Sequence, residues 1–207
     1  METGRLETFA DGVFAIAATL LILNVDVACD GCDLRTEILH AWPSYVAYAA
    51  SFLTIGIIWT NHHLVMNQIA RADRTFLMLT VLFLMVVAFI PFPTRVIAAH
   101  ITERTNQNDR TAAVLYGITL MLTAILFNAL WFYAARRGRL LREDADPRIV
   151  RGISRTFVLG PWTYLAITIV AAFDPRLGAI GFLLFALFWV IESSVFGRDR
   201  PARAIQP

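Results

Sequence analysis

The sequence predicts an all-α, polytopic membrane protein, and three observations carry that prediction. Of 207 residues, 57% are hydrophobic and only 16% are charged, against roughly a quarter charged in an ordinary soluble domain. Mean hydropathy is +0.60. The apolar residues also arrive in blocks rather than in period-two or period-3.6 stripes, which is how a chain reads when its solvent is lipid. Intrinsic disorder, a disulfide-dense secreted domain and a soluble solenoid are excluded by the same figures. The net charge of +2 is too small to imply a nucleic-acid partner.

A membrane span needs about 20 apolar residues to cross roughly 30 Å of hydrocarbon, and lipid cannot satisfy open backbone, so each span should be a helix. Six windows qualify within a single domain, 1–207. The first is 9–27; Arg5, Glu7 and Asp11, before and just inside its start, occupy the place of a signal peptide's apolar region, so no cleavable signal is expected. An acidic connection comes next, with Asp26, Asp30, Asp33 and Glu37 against Arg35. The second window is 42–64. The third, 76–99, carries Pro91 and Pro93 near its far end, which should bend it or end it early. The fourth is 111–135. An arginine-rich loop, 136–155, then separates it from the fifth, 156–173, and the sixth, 177–196. That loop is too short for a domain and reads as a topogenic cluster, with anionic-lipid contact as a secondary possibility.

All eighteen basic residues are arginine, and their distribution orients the spans. With the N-terminus inside, thirteen lie on the cytoplasmic side and five outside. Both termini are therefore expected in the cytoplasm. Glu192, within the sixth window, lies near enough to the end of its span to reach water. Among Trp42, Trp59, Trp131, Trp162 and Trp189, several fall near predicted helix ends, where amphipathic rings favour the interface. Cys29 and Cys32 lie in the external loop, and three readings stay open there: a local disulfide, free thiols, or a metal site. No nucleophile elbow or H-E-x-x-H motif occurs, so no catalytic residue, resident metal or cofactor is expected.

The first helix carries the chemistry. At 100° per residue, Ile16, Thr19, Leu20 and Leu23 share one sector roughly 100° wide, while Asp11 falls roughly 140° from Ile16. An intramembrane carboxylate is expensive and is paired or functional by default. Buried against other helices, Asp11 would serve as a polar lock; facing a lumen, it would form an ion-binding ring. The adjacent His62 and His63 point to different helix faces and make a poor shared metal site.

Arg5, Phe9, Ala10 and Asp11 read R-x-x-x-F-A-D. This resembles the R-x-x-x-F-S-D signature that opens the TMEM175 family of potassium channels, with alanine in place of serine. The run from Gly12 to Val25 is similar to the same helix in bacterial members. Trp59 to His62 resembles the family's W-x-x-H, and Ile90 to Thr94 its proline-rich end of the third helix. The resemblance covers about the first hundred residues.

The resemblance implies a six-helix subunit in a bacterial cytoplasmic membrane, assembled as a homotetramer around four copies of the first helix. It implies a potassium-permeable cation channel whose apolar constriction is formed by Ile16, Leu20 and Leu23, with Thr19 as a hydroxyl position bearing on cation preference. Arg5, Phe9, Asp11 and His62 would form a polar network at the cytoplasmic end. Asp26 and Asp30 would raise cation concentration at the external mouth. No T-V-G-Y-G loop occurs, so a filter of stacked carbonyls is not available. Two rival readings remain: a secondary transporter of a small cation, and a non-conducting membrane assembly protein.

Overall fold

A computed structural model describes residues 3–25, 33–100 and 107–196, with the side chains of residues 137 and 190–196 outside the description. These residues form eight α-helices: α1 (Thr3–Leu20), α2 (Leu34–His40), α3 (Trp42–Met66), α4 (Arg74–Phe89), α5 (Pro91–His100), α6 (Gln107–Ala135), α7 (Pro147–Phe173) and α8 (Pro175–Phe196). Two 3-10 turns, Leu21–Asn24 and Arg136–Gly138, extend α1 and α6. The fold is all-α. Four segments are long and apolar enough to cross a membrane, Thr3–Asn24, Arg74–His100, Gln107–Ala135 and Pro147–Phe173. Helices α2 and α3, bent 45° to each other, make a fifth if taken as one span. The apolar part of α8, Pro175–Trp189, is shorter.

Local chemistry sets the helix ends. Asp33, Asp73, Asp146 and Asp174 each precede a helix, and each carboxylate accepts a backbone N–H from its first turn. Such caps satisfy amides that have no partner inside the helix. Pro147 and Pro175 follow two of these caps, at the position where a missing N–H matters least. The third window is broken at Ile90, between α4 and α5. Pro91 and Pro93 cannot donate to the carbonyls four residues before them, so the ladder is interrupted there. Helix α2 lies outside all six windows and is entirely surface; its signal is the Asp33 cap, to which the Thr36 hydroxyl also donates at 2.7 Å.

Helix α7 runs through Pro161 without ending. The proline leaves the Phe157 carbonyl without its intrahelical donor. Asn128 of α6 supplies one, its side-chain amide donating to that carbonyl at 2.9 Å. The defect in one helix is thus repaired by its neighbour, which also fixes their relative height.

In the packing, α1 lies on α3, α4 and α5, and α6 lies between the α4–α5 pair and the α7–α8 pair. Trp131 of α6 is fully buried, packs edge-on against Phe157 and donates its indole N–H to Ser154 at 2.9 Å. It is a core residue, and not an interfacial anchor as its place near a predicted helix end suggests. Trp42 and Trp162 are exposed. Small residues allow close helix approach: a Cβ on Gly178 would collide with Ala171, whose Cα would be 2.7 Å away.

The α3–α4 and α6–α7 connections are clasped together. Ala70 N–H donates to the Leu140 carbonyl and Arg142 N–H to the Gln68 carbonyl, each at 2.9 Å. Arg71 donates to the Arg139 carbonyl. Asp73 accepts from Phe76 N–H at 2.9 Å and from the Tyr133 hydroxyl at 2.7 Å, with the Arg139 guanidinium 3.5 Å away. Arg71 and Arg139 therefore hold the two connections in place. These contacts, the Phe76 amide foremost, keep the Asp73 carboxyl below the usual carboxylate range. A depressed folded-state pKa stabilises above the unfolded value, near 3.9, and the stabilisation is lost as pH falls through the folded value. In detergent, Asp73→Asn should lower the melting temperature at pH 7, and the gap to wild type should shrink as pH is taken below about 4. A gap that stays constant with pH would mean that the Asp73 charge contributes nothing.

Candidate pore-lining helix

One face of α1 is packed and the other is bare. Leu6, Ala10, Phe14, Ala17 and Leu21 are buried. They recur at spacings of three and four, one side of a helix. Opposite them, Arg5, Phe9, Gly12, Ile16, Thr19, Leu20 and Leu23 are all exposed. Ile16 is 61% exposed and Leu23 69%, too open for core residues. The stripe also contains an arginine, a glycine and a threonine, a mixture poorly suited to lipid contact alone.

The Thr19 hydroxyl donates back to the Ile16 carbonyl at 2.9 Å. Its proton is thereby occupied locally, while the oxygen lone pairs stay on the open face, where they can accept from water or meet a cation.

Three tethers fix the rotation of α1. Near its start, Glu7 pairs with His63 at 2.9 Å. One turn on, Asp11 accepts the Trp59 indole N–H at 2.8 Å. At the far end, the Asn24 amide donates to the Pro91 carbonyl at 2.9 Å, just past the break between α4 and α5. Between these, Phe14 packs against His62 and Phe83, whose rings lie stacked 5.9 Å apart. Phe14 therefore keys α1 into α3 and α4 at mid-height.

The expected polar network closes differently from the one drawn from sequence. Asp11 is half-buried and not enclosed, and its hydrogen bond goes to Trp59 and not to Arg5 or His62. Among the described residues, His62 is buried in an aromatic stack with its Nε2 unpartnered. Arg5 and Phe9 stand on the bare stripe. Ala10 is fully buried. His63, on a different face of α3 from His62, is the partner of Glu7. Asp26, Asp30, Cys29 and Cys32 lie outside the described residues, as does the side chain of Glu192.

Sequence reasoning missed Trp59, Glu7, Asn24 and Phe83 as supports of α1. For Phe14 a signal existed, since it sits four residues after Ala10 on the side away from Ile16. For the others no spacing rule applies, because their partners are on different helices.

The family profile described as endosomal/lysosomal potassium channel TMEM175 matches residues 5–91. The chain is 44% identical over 165 residues to a potassium channel of Streptomyces collinus, covering 79% of each protein. It is 36% identical over 197 residues to a potassium channel of Chamaesiphon minutus, covering 93% of this chain and 96% of that one. It is 29% identical over 169 residues to the endosomal/lysosomal proton channel TMEM175 of Danio rerio, which it covers to 31%. Among solved structures, the crystal structure of a lysosomal potassium-selective channel TMEM175 homolog from Chamaesiphon minutus superposes with a TM-score of 0.83 at 34% identity, over 92% of this chain and 97% of that one.

Proposed function

From the premise that the chain belongs to the TMEM175 family and is an ion channel in a membrane, not an enzyme, we propose that it conducts potassium through a pore lined by α1. The observation that carries this reading is the bare stripe of α1, with Ile16, Thr19, Leu20 and Leu23 on the side opposite its packed residues.

A single stripe cannot enclose a lumen. A sector roughly 100° wide is close to the corner angle of a square, so four copies of α1 would surround an axis. Each subunit would then contribute six spans, with α2–α3 and α4–α5 each making one, and both termini in the cytoplasm. Rings of Ile16, Leu20 and Leu23 would form an apolar neck. Such a neck blocks ions when it dewets, and passes water with cations when slightly wider. Potassium is less strongly hydrated than sodium and loses its shell more easily. The Thr19 oxygens replace part of that shell. Selection by this route is modest and not strict. Asp11, bonded to Trp59, serves to hold the helix and stays off the ion path. Asp26 and Asp30 would attract cations at the outer mouth.

Purified protein recorded in planar bilayers under a potassium/sodium gradient tests the reading. Discrete unitary currents that reverse on the potassium side of zero are expected. Saturable flux without unitary currents would overturn the channel mechanism in favour of a carrier.

A further inference from the structure

Helix α7 carries a second stripe that the pore does not use. Its first turns, Pro147 to Arg155, precede the apolar part of the helix. Arg148, Arg151 and Arg155 are all exposed there and fall within about 60° of one another around the helix. The same line continues down the helix through Leu159, 65% exposed, and Trp162, 67% exposed, to Ile169 and Phe173. The opposite side, with Ile153, Phe157, Thr168 and Ala171, is packed against the bundle. One outward face therefore changes from three guanidinium groups to a bare apolar surface within one turn, where a lipid changes from phosphate to acyl chain.

The cationic end also borders a cavity, through Arg151. An open cavity of about 440 Å³ lies between the α6–α7 connection and the start of α7, with Leu141, Pro147 and Val150 among its apolar walls and Arg142 and Arg151 on it. Glu143 lines it too. Arg151 uses its Nε–H on the Pro147 carbonyl at 3.1 Å, and Arg142 its Nε–H on Asp144. Both fold their side chains back along the loop with terminal N–H groups left over. Arg151 thus belongs to the cavity and to the α7 stripe at once.

We propose that this junction binds an anionic phospholipid, with the phosphate held by Arg151 and Arg155 and the acyl chains lying along Leu159 and Trp162. Arginine suits the task because its planar fork grips phosphate oxygens in pairs. A purely topogenic role needs charge on one side of the membrane, but neither alignment with the lipid-facing stripe nor a cavity. The site is independent of the pore reading, so neither result decides the other.

Full-length protein in neutral detergent is titrated with short-chain phosphatidylglycerol and, separately, with phosphatidylcholine of equal chain length, and bound lipid is counted by native mass spectrometry. Phosphatidylglycerol should stay bound where phosphatidylcholine does not. Arg151→Gln and Arg155→Gln should each weaken its retention roughly fivefold, and the pair on the order of 25-fold. Arg110→Gln, the same charge loss at the far end of α6, should leave retention unchanged. Equal retention of the two lipids by the wild type overturns the proposal. So does an Arg110→Gln loss as large as that of Arg151→Gln, which would mark a bulk charge effect. Displacement by inorganic phosphate at equal concentration also overturns it, because the site would then read a soluble anion. Should the glutamine variants fail to fold, Arg151→Lys with Arg155→Lys keeps the charge without the fork and should hold phosphatidylglycerol more weakly than the wild type but still above phosphatidylcholine; equal retention of the two lipids there counts against the site.

Discussion

Ile16→Asn should raise unitary cation conductance severalfold and move the reversal potential toward zero under a potassium/sodium gradient. The side chain stands open on α1 and touches little within its own subunit, so in the proposed tetramer the substitution removes an apolar ring without a comparable loss of packing. An amide at this ring of the proposed neck gives water a hydrogen-bonding partner, and a wetted neck no longer excludes hydrated sodium. Selectivity by dehydration falls together with the barrier, so the two readouts should move together. Size-exclusion chromatography of the variant should match wild type. A variant that assembles normally and conducts as the wild type does would place the constriction elsewhere on α1.

Trp131→Ala should destabilise the folded subunit by about 3 kcal/mol, read as a large drop in melting temperature in detergent. The side chain is fully buried, its indole N–H is bonded to Ser154, and its ring closes against Phe157. Truncation leaves a cavity between α6 and α7 and strips a partner from Ser154. Helix association in lipid rests on such packing more than on apolar burial, because acyl chains solvate a leucine as well as a neighbouring helix does. Trp162→Ala, on the exposed face of α7, is the control and should cost little. Equal losses in the two variants would show that Trp131 does not hold α6 to α7.

The two predictions differ in how far the sequence can reach them. Ile16, Thr19, Leu20 and Leu23 share a helix, and 100° per residue is enough to put them on one side of it. The break at Ile90 is legible for the same reason, since prolines act on backbone groups within four residues. Asp11 shows the limit. Its cost in a membrane announces that it must be paired, but its partner Trp59 is 48 positions away on another helix. Asn128 and Phe157 are a similar case, where the Pro161 defect is local and its repair is not. The arginine-rich stretch 136–155 is legible by charge alone, but its second half is the start of α7 and not loop, and charge does not tell Arg139, held against Asp73, from Arg151, open at a cavity.

By itself the sequence determined the solvent, the helical class, the break at Ile90 and the residues that share one stripe on α1. Those follow from hydrophobicity and from hydrogen bonds that close within a single helix turn. Only the tertiary structure decided which side of α1 is packed, which groups tether it, and which arginines stay open on α7. Such pairings depend on how each helix is rotated and how high it sits beside its neighbours, and side-chain packing between helices sets both.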